Sequence, residues 1–339
     1  MENDNNVTRR EFLGDVLKTG SVATVGGLTC LGFSGKAGGA DNAADLITGI
    51  KIDPDMILYD EIGKPVPSGF TESRSLTVDS AGVLYAAGDK AVRIFDSRGR
   101  IRETVNLTVS PFCLAATDKQ FYIGTKDRIV IIGRNGKVQT SWKSLGENAW
   151  ITSITLAGEY VYIADAGQRI VWCYDLKGNF IRRIGDKNPD KNIPGFAVPG
   201  PYFDLAMAPD GLLRVANPGR HQVEAYTVKG DREFAWGRFG NRLEDFTACC
   251  NPVSFTILPD GNLITCEKGA ARVKVYDTFG KLKGFVAEPK QLANISPSIG
   301  VKQERVQRYG FDVAADRDGQ VYILDRARNA IRIFKRKDI

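Results

Sequence analysis

The chain has 339 residues, of which 43% are hydrophobic and 25% are charged. This is the composition of a globular protein long enough for one large or two small domains, and it excludes disordered, collagen-like and coiled-coil proteins. The formal net charge of +6 is small for this length and is spread along the chain, so we expect no nucleic-acid partner, because such partners select clustered positive charge.

The N-terminus has the layout of a targeting segment. Thr8 to Leu13 contain paired arginines followed by Phe-Leu, Thr19 to Phe33 are uncharged, and Ser34 to Ala40 are mostly small residues. This order of charged, apolar and small-residue regions resembles a twin-arginine signal peptide. We therefore expect residues 1–40 to be a signal peptide that is removed, residues 41–54 to be a linker, and the protein to be exported to the periplasm.

Two kinds of membrane attachment are not expected at this segment. The fifteen residues from Thr19 to Phe33 are too few to span a bilayer comfortably, so we expect no stable membrane span. Lipid anchoring at Cys30 is not expected either, because Leu28 stands one position too close to Cys30 for a lipoprotein motif.

The rest of the chain contains six units with one pattern. The full pattern is an apolar strand, a turn of the Asp-Gly type, a second strand, a short polar loop, a third strand that generally ends in an aromatic residue, a Gly turn and a last strand. The first strands begin at Leu76, Leu114, Ile154, Leu205, Phe255 and Val313, and the third strands begin at Val92, Ile129, Ile170, Val223, Val273 and Ile331.

Such a four-stranded unit cannot bury both of its faces alone, so the units must stack, and meanders of this length stack radially. We therefore predict an all-β fold, a six-bladed β-propeller of four-stranded antiparallel blades over residues 55–339. The sixth unit ends near Phe334 without an outer strand. We expect an N-terminal strand within Met56 to Ile62 to fill this place and close the ring, which removes an exposed sheet edge.

The units resemble NHL repeats, most clearly from Gly158 to Gly178 and from Asp318 to Phe334. A second likeness is to a group of exported bacterial NHL-repeat proteins, through Asn217 to Glu224, the sequence Cys-Cys-Asn-Pro from Cys249 to Pro252, and Glu267 to Gly269. The resemblance covers residues 55–339. It implies the six-bladed fold, and it does not carry an activity to this chain.

Binding residues are expected on one face of the ring. Loops between second and third strands, and connections from one blade to the next, emerge together around the central channel. The candidate residues for a ligand or partner on this face are Tyr202, Arg220, His221, Cys249, Cys250, Glu267, Lys268, Arg308 and Asp325.

Adjacent cysteines at Cys249 and Cys250 are the most unusual of these residues. They are interpreted either as small residues packed at a blade junction, as a redox-active pair, or as the source of one thiolate ligand beside His221. The interpretation as packed structural residues remains open beside the two functional ones. Cys113, Cys173 and Cys266 fall within strand patterns and are expected to be core thiols.

The single histidine, His221, excludes metal centres and mechanisms that need two or three imidazoles. Carboxylates could still hold a divalent cation in the central channel, with Asp165, Asp204, Glu267 and Asp325 as weak candidates. A divalent cation is therefore the one cofactor considered, and catalytic residues are not assigned.

Three functions remain open at this point. The first is an exported binding or scaffold module, expected to be a monomer, that holds a protein or a small-molecule ligand and serves an envelope redox or electron-transfer system. The second is a divalent-metal-dependent lyase or lactonase-like hydrolase with its ion in the channel. The third is a redox protein that uses Cys249 and Cys250 directly.

Overall fold

A computed structural model describes residues 52–96, 98–293 and 310–338. The signal peptide, most of the linker, Cys30 and Arg308 lie outside the described residues. A 3₁₀ turn at Pro54–Met56 precedes two short strands, β1 (Tyr59–Glu61) and β2 (Val66–Pro67). The six blades then follow in chain order.

Blades 1 to 3 are four-stranded antiparallel meanders. Blade 1 contains β3 (Ser73–Val78), β4 (Leu84–Gly88), β5 (Ala91–Phe95) and β6 (Ile101–Asn106). Blade 2 contains β7 (Cys113–Ala116), β8 (Gln120–Gly124), β9 (Ile129–Gly133) and β10 (Val138–Ser141). Blade 3 contains β11 (Ile151–Ala157), β12 (Tyr160–Asp165), β13 (Ile170–Asp175) and β14 (Phe180–Ile184).

Blades 4 to 6 repeat this arrangement. After a 3₁₀ turn at Pro189–Lys191, blade 4 contains β15 (Leu205–Met207), β16 (Leu213–Asn217), β17 (Gln222–Tyr226) and β18 (Arg232–Trp236). Blade 5 contains β19 (Ser254–Ile257), β20 (Leu263–Glu267), β21 (Arg272–Tyr276) and β22 (Leu282–Ala287). A short helix, α1 (Pro289–Ala293), follows, and blade 6 contains β23 (Phe311–Ala315), β24 (Val321–Asp325) and β25 (Ala330–Arg336).

The N-terminal strand completes blade 6, as predicted. β1 pairs antiparallel with β25, with Tyr59 opposite Arg336 and Glu61 opposite Phe334. The structure adds a feature that the sequence pattern did not predict, because β2 also pairs with β25. A strand of two residues is too short to show a periodic pattern. The inner strands β3, β7, β11, β15, β19 and β23 each lie beside the inner strands of both neighbouring blades, so the ring is closed.

The hydrophobic core lies between adjacent blades. Between blades 1 and 2, for example, Tyr85 and Val92 pack with Leu114 and Phe121. The second strands are therefore buried on both faces, as in β4, β16, β20 and β24, where every residue is buried. The outer strand β10 is exposed throughout, which explains why the inner three strands of each unit carry the clearest hydrophobic pattern.

The outer hairpins show why the repeat needs its Asp and Gly residues. In blade 3, Asp175 Oδ1 accepts hydrogen bonds from Lys177 N at 2.9 Å and from Asn179 N at 2.8 Å. Gly178 has φ 84°, a left-handed conformation that a side chain rarely permits. Within the described ranges, no helix is long and apolar enough to cross a membrane.

Candidate functional site

The central channel contains a cavity of about 450 Å³ that is lined by residues from all six inner strands. The inner strands begin at the end of the ring where the blade-to-blade connections and the loops between second and third strands emerge, because antiparallel strands alternate in direction. Of the predicted binding residues, Tyr202 lines this cavity, as does the predicted metal candidate Asp204.

Six residues stand at one level around the channel. Each residue immediately precedes the first core position of its inner strand. Five of the six lie opposite the penultimate residue of the second strand, and Cys113 lies opposite Gly124, the last residue of β8. The six are Ser75, Cys113, Ser153, Asp204, Ser254 and Asp312. This level therefore carries two carboxyl groups among small polar side chains.

Asp204 and Asp312 connect neighbouring blades. Asp204 Oδ2 accepts a hydrogen bond of 2.9 Å from Phe255 N in blade 5. Asp312 Oδ2 accepts one of 2.8 Å from Leu76 N in blade 1, and its Oδ1 accepts one of 2.8 Å from the Ser254 hydroxyl. Both carboxyl groups therefore contribute to the structure of the ring as well as to the lining of the cavity.

Burial, followed by the nearby negative charge of Asp312, raises the pKa of Asp204 to about 6, against the opposing effect of hydrogen bonds from Ser153 and two backbone amides. Removing a charged carboxylate from water favours its neutral form, and a second carboxylate adds repulsion. Asp204 therefore changes protonation at a pH where most carboxyl groups are already ionised.

Arg326 brings a positive charge to the same carboxyl level. Its terminal nitrogen Nη2 lies 3.6 Å from Asp312 Oδ2, and its side chain lines the cavity. Arg326 Nε is buried and has no hydrogen-bond partner among the described residues. Of the twelve buried side-chain polar atoms that lack a hydrogen-bond partner among the described residues, Arg326 Nε is the one whose residue lines the cavity.

Three aromatic side chains lie where inner strands begin. Phe112 immediately precedes β7, Trp150 immediately precedes β11, and Tyr202 lies close before β15. All three line the cavity. The rings of Phe112 and Trp150 meet edge to face, with centroids 5.8 Å apart. We call Arg74, Phe112, Trp150, Tyr202 and Arg326 the channel mouth.

Cations lie over these rings. The guanidinium of Arg74 is 5.3 Å from the centroid of Phe112, and Lys126 Nζ is 5.4 Å from that of Trp150. Lys268 Nζ lies 4.5 Å from the centroid of Tyr202. The structure thus brings together Tyr202 and Lys268, two residues that the sequence had marked as candidates for binding.

Glu267 has a different place, in a buried ionic cluster under the connection between blades 4 and 5. Its Oε1 lies 2.6 Å from Lys274 Nζ, and its Oε2 lies 2.9 Å from Arg272 Nη2. Glu267 Oε2 also accepts hydrogen bonds from Thr247 N and Thr247 Oγ1. Lys274 Nζ in turn donates to the carbonyl oxygen of Asp245 at 2.8 Å.

The charges of this cluster shift one another's protonation. Burial alone would raise the pKa of Glu267, but the positive charges of Lys274 and Arg272 outweigh it and lower the pKa below its ordinary value. Burial lowers the pKa of Lys274 to about 8, against the opposing attraction of Glu267. Together with its hydrogen bonds, this places Glu267 in a structural role, because its oxygens hold the connection in place.

Asp165 and Asp325 occupy the same position as Glu267, the last residue of a second strand. Asp165 Oδ1 accepts a hydrogen bond from Trp150 N at 2.9 Å and so holds the start of an inner strand. Asp325 Oδ1 accepts from Ala327 N, and Asp325 Oδ2 lies 2.6 Å from the Arg328 guanidinium. These carboxylates fix loop geometry at the end of the ring where the blade-to-blade connections and the loops between second and third strands emerge, which we call the loop-rich end.

The four carboxylates considered as ligands of a divalent cation do not converge. Asp165, Asp204, Glu267 and Asp325 belong to four successive blades, and each accepts hydrogen bonds from protein donors. In the ranges that the structure describes, no three His, Cys, Asp or Glu side chains are placed to hold a metal ion. These residues therefore do not fit a shared cation, and no chemical step is derived through one.

Neither Arg220 nor His221 lines the channel cavity; Arg220 contacts the connection between blades 3 and 4, and His221 lies beside the cysteine pair. Arg220 Nε is 3.4 Å from the carbonyl oxygen of Gly195. His221 has φ 57°, and its Nε2 lies 2.9 Å from the carbonyl oxygen of Ala248, next to Cys249. The imidazole therefore contacts the backbone of the cysteine loop.

Phe112, Asp312 and Ser254 were not marked by the sequence interpretation. Ser254 and Asp312 stand immediately before the predicted first strands, which begin at Phe255 and Val313, where a polar residue looks like part of a connecting loop. The signal that could have found Asp312 is its alignment with Asp204, since Asp204-Leu205 and Asp312-Val313 occupy the same place in their units.

Neither a protein-family model nor a curated protein matches the sequence. Solved propeller structures do match. A gluconolactonase from Xanthomonas campestris has 14% identity and a TM-score of 0.57, and the match covers 85% of this chain and 98% of that one. Streptogramin B lyase has 13% identity and a TM-score of 0.54, with 84% and 100% covered.

The WD40 propeller domain of Doa1 is also similar, with 13% identity, a TM-score of 0.52, and 78% of this chain and 79% of that one covered. The matched structures thus include two enzymes and a WD40 domain. At these identities the similarity establishes the propeller fold and assigns no activity.

Proposed function

We propose that this protein is an exported binding module whose channel mouth takes a small organic anion with a planar apolar part. The observation that carries this proposal is Arg326 Nε, a buried donor that has no hydrogen-bond partner among the described residues and belongs to the wall of a cavity of about 450 Å³. A small molecule is favoured over a protein partner because these features are recessed in the channel.

The guanidinium of Arg326 determines the charge that we expect of the ligand. A guanidinium presents its N–H groups in a planar fork that matches carboxylates and phosphates. Leaving a buried donor unsatisfied costs about 1–3 kcal/mol, which a ligand oxygen would recover. The Lys268 ammonium over Tyr202 adds positive charge at the entrance, whereas the charge of the Arg74 guanidinium over Phe112 is offset by Glu72, whose Oε2 lies 2.9 Å from Arg74 Nη2.

The apolar part of the ligand follows from the aromatic side chains. Phe112, Trp150 and Tyr202 present ring surface to a cavity whose volume lies in the range of small-molecule pockets, roughly 300–1,000 Å³. Aromatic rings contribute both buried area and edge-to-face or stacked contacts to a planar ligand. An aromatic or unsaturated carboxylate satisfies both requirements.

Calorimetric titration with three isosteric probes tests this proposal. Benzoate, benzyl alcohol and benzylammonium differ chiefly in charge, and we expect benzoate to bind most tightly. In the Arg326→Gln variant the preference for benzoate should disappear. Arg100→Gln is the matched control, because Arg100 is an exposed arginine whose Nε pairs with Asp96 at 2.7 Å in an outer turn. Equal affinity for all three probes would contradict the proposal.

The export part of the proposal is supported by the sequence alone. The paired Arg9 and Arg10 with the following uncharged segment support the twin-arginine route to the periplasm, and the repeat pattern supports an NHL-type propeller. Replacing both arginines by lysine should leave the protein in the cytoplasmic fraction. Unchanged export of that variant would reject the twin-arginine route.

One observation favours a second candidate, an enzyme of the lyase or lactonase-like class. The pKa of Asp204 is raised to about 6, which suits a general acid or base. It ranks second because the Asp204 oxygens are held by protein donors. A pH-stat assay with γ-butyrolactone tests this candidate, and we expect the hydrolysis rate to fall about 100-fold or more in Asp204→Asn. Hydrolysis at the background rate in both the wild type and Asp204→Asn would reject the enzyme candidate.

A further inference from the structure

The connection between blades 4 and 5 brings the sulfur atoms of Cys249 and Cys250 to 2.7 Å from each other. Both residues are thiols, and they differ in accessibility, since Cys249 is exposed and Cys250 is buried. Neither residue lines the channel cavity. The pair is therefore a site of its own, on the loop-rich end of the ring and outside the channel mouth.

The backbone around the pair brings the two sulfurs to the same side. Successive side chains of an extended strand point to opposite faces. Ala248 and Cys250 have φ values of 58° and 64°, left-handed conformations that are uncommon for residues other than glycine. Two such residues on either side of Cys249 break the alternation.

Hydrogen bonds hold this backbone at both ends. Thr247 N donates to Glu267 Oε2 at 3.0 Å, within the buried ionic cluster. The side chain of Asn251 donates to the carbonyl oxygen of Lys268 at 3.0 Å and accepts from Lys268 N at 2.9 Å. Strained backbone maintained by its surroundings is a feature of functional sites.

From this geometry we infer that Cys249 and Cys250 are a redox-active dithiol that closes reversibly to a vicinal disulfide by exchange with disulfide-bearing molecules. The inference goes beyond the binding function proposed for the channel and does not depend on it. It also selects one of the three interpretations of the pair that the sequence left open.

The difference in exposure sets the order of the reaction. The Cys249 thiolate attacks a disulfide RSSR, forms a mixed disulfide Cys249–S–SR and releases one RSH after protonation. The Cys250 thiolate then attacks Cys249 Sγ, forms the Cys249–Cys250 bond and releases the second RSH. The protein loses two electrons and two protons, and RSSR is reduced to two thiols.

Adjacent positions in the sequence make the disulfide reversible. Disulfides ordinarily join Cα atoms about 4.4–6.8 Å apart, whereas consecutive Cα atoms are about 3.8 Å apart. A bond between neighbours is therefore strained, and strained, exposed disulfides are the ones that are reduced easily. Such a bond suits electron exchange better than permanent cross-linking.

The other described cysteines provide the contrast. Cys113, Cys173 and Cys266 are each at most 3% exposed, and burial raises the pKa of all three thiols. Because the thiolate is the attacking form, these residues are not suited to exchange. Among the described cysteines, Cys249 is the one that a disulfide-bearing molecule can reach.

A glutathione titration of the full-length protein tests the inference. The reduced protein is equilibrated with mixtures of glutathione and glutathione disulfide, quenched with acid, unfolded and alkylated. The tryptic peptide from Leu243 to Lys268 contains both cysteines and also Cys266 as an internal control. We expect Cys249 and Cys250 to lose alkylation together, with a peptide two hydrogens lighter, while Cys266 stays fully alkylated.

Two variants resolve the order of the steps. Cys250→Ser should stop at the first step and keep glutathione bound to Cys249. Cys249→Ser should leave Cys250 unmodified because Cys250 is buried.

Two results with the wild-type protein would overturn the inference, whether or not the variants fold. In one, glutathione accumulates on Cys249 while Cys250 remains alkylatable. In the other, both thiols persist in glutathione disulfide alone. Neither result would bear on the binding of benzoate in the channel, because the cysteines do not line it.

Discussion

Two groups of buried charges at the loop-rich end of the ring differ in one respect. In the Glu267 cluster, Glu267, Arg272 and Lys274 contact one another, and they also bind the backbone or side chains of Asp245 and Thr247. In the channel, Arg326 Nη2 lies 3.6 Å from Asp312 Oδ2, and Arg326 Nε has no hydrogen-bond partner among the described residues. Arg272 Nε in the cluster also lacks one, but Arg326 lines the channel cavity and the cluster residues do not.

This difference separates structural charges from charges available to a ligand. A buried charge that bridges several protein groups holds its surroundings in place, and replacing it should reduce stability. A donor that lines a cavity and has no partner among the described residues can bind an acceptor from solution. Sequence alone could not separate the two, since Glu267 and Arg326 occupy neighbouring places in equivalent loops.

The largest effect is expected at Glu267. In Glu267→Ala, Arg272 and Lys274 remain buried without their carboxylate, and breaking a buried ion pair in this way costs about 3–5 kcal/mol. Urea denaturation should show this loss in the free energy of unfolding. A change in the free energy of unfolding below about 1 kcal/mol would mean that water reaches the cluster, and it would contradict the distinction between the Glu267 cluster and the channel site.

The pH dependence of stability is expected to depend on Asp204. Its pKa in the folded protein is raised to about 6 by burial and by Asp312, so between pH 4 and 6 the folded state holds a proton that the unfolded chain releases. The stability from this group is present below about pH 4 and is lost as the pH rises through 6, a change of about 3 kcal/mol.

Asp204→Asn should remove this pH-dependent decline, which thermal unfolding measured from pH 4 to 7 can show. Asp60→Asn is the matched control, because the Asp60 side chain is 75% exposed. Parallel pH profiles for wild type and Asp204→Asn would contradict the assignment of a raised pKa to Asp204.

Arg326→Gln should weaken benzoate binding by about 10- to 100-fold, the effect of losing one charge-assisted hydrogen bond. Its thermal midpoint should stay close to that of the wild type, because the substitution also removes an unsatisfied donor. Calorimetry and thermal unfolding on the same preparation measure both quantities. A large loss of stability with unchanged affinity for benzoate would show that Arg326 has a structural role and does not bind the ligand.

The smallest effect is expected at an exposed ion pair. Lys191 Nζ lies 2.7 Å from Asp231 Oδ1, and both side chains are about half exposed. Asp231→Asn should leave the urea midpoint unchanged within error, because solvent screens such pairs. A shift comparable to that of Glu267→Ala would show that burial does not decide the effect.

The fold could be predicted because its signals are local and repeated. Asp-Gly turns, aromatic ends of third strands and the unmatched segment before Leu76 appear in sequence order, and the ring with its closing strand follows from them. The two-residue strand β2 carries no periodic signal, so it was missed.

The candidate site could be predicted only in part, because it depends on contacts between side chains that are distant in the sequence. Tyr202 and Lys268 were placed on the binding face and do meet at the channel mouth. Glu267 and Asp325 were also placed there, but their hydrogen bonds to loop backbone appear only once the connections are folded over them. Asp312 was missed because an isolated acidic residue in a strand gives no sign that it faces the channel.

The most direct test of the central claim is a crystal structure of the protein soaked with benzoate. We predict a carboxylate oxygen within about 3 Å of Arg326 Nε and the phenyl ring against Trp150 or Phe112. An empty channel mouth at a concentration that saturates the protein in solution, or a benzoate whose carboxylate points away from Arg326, would contradict the account.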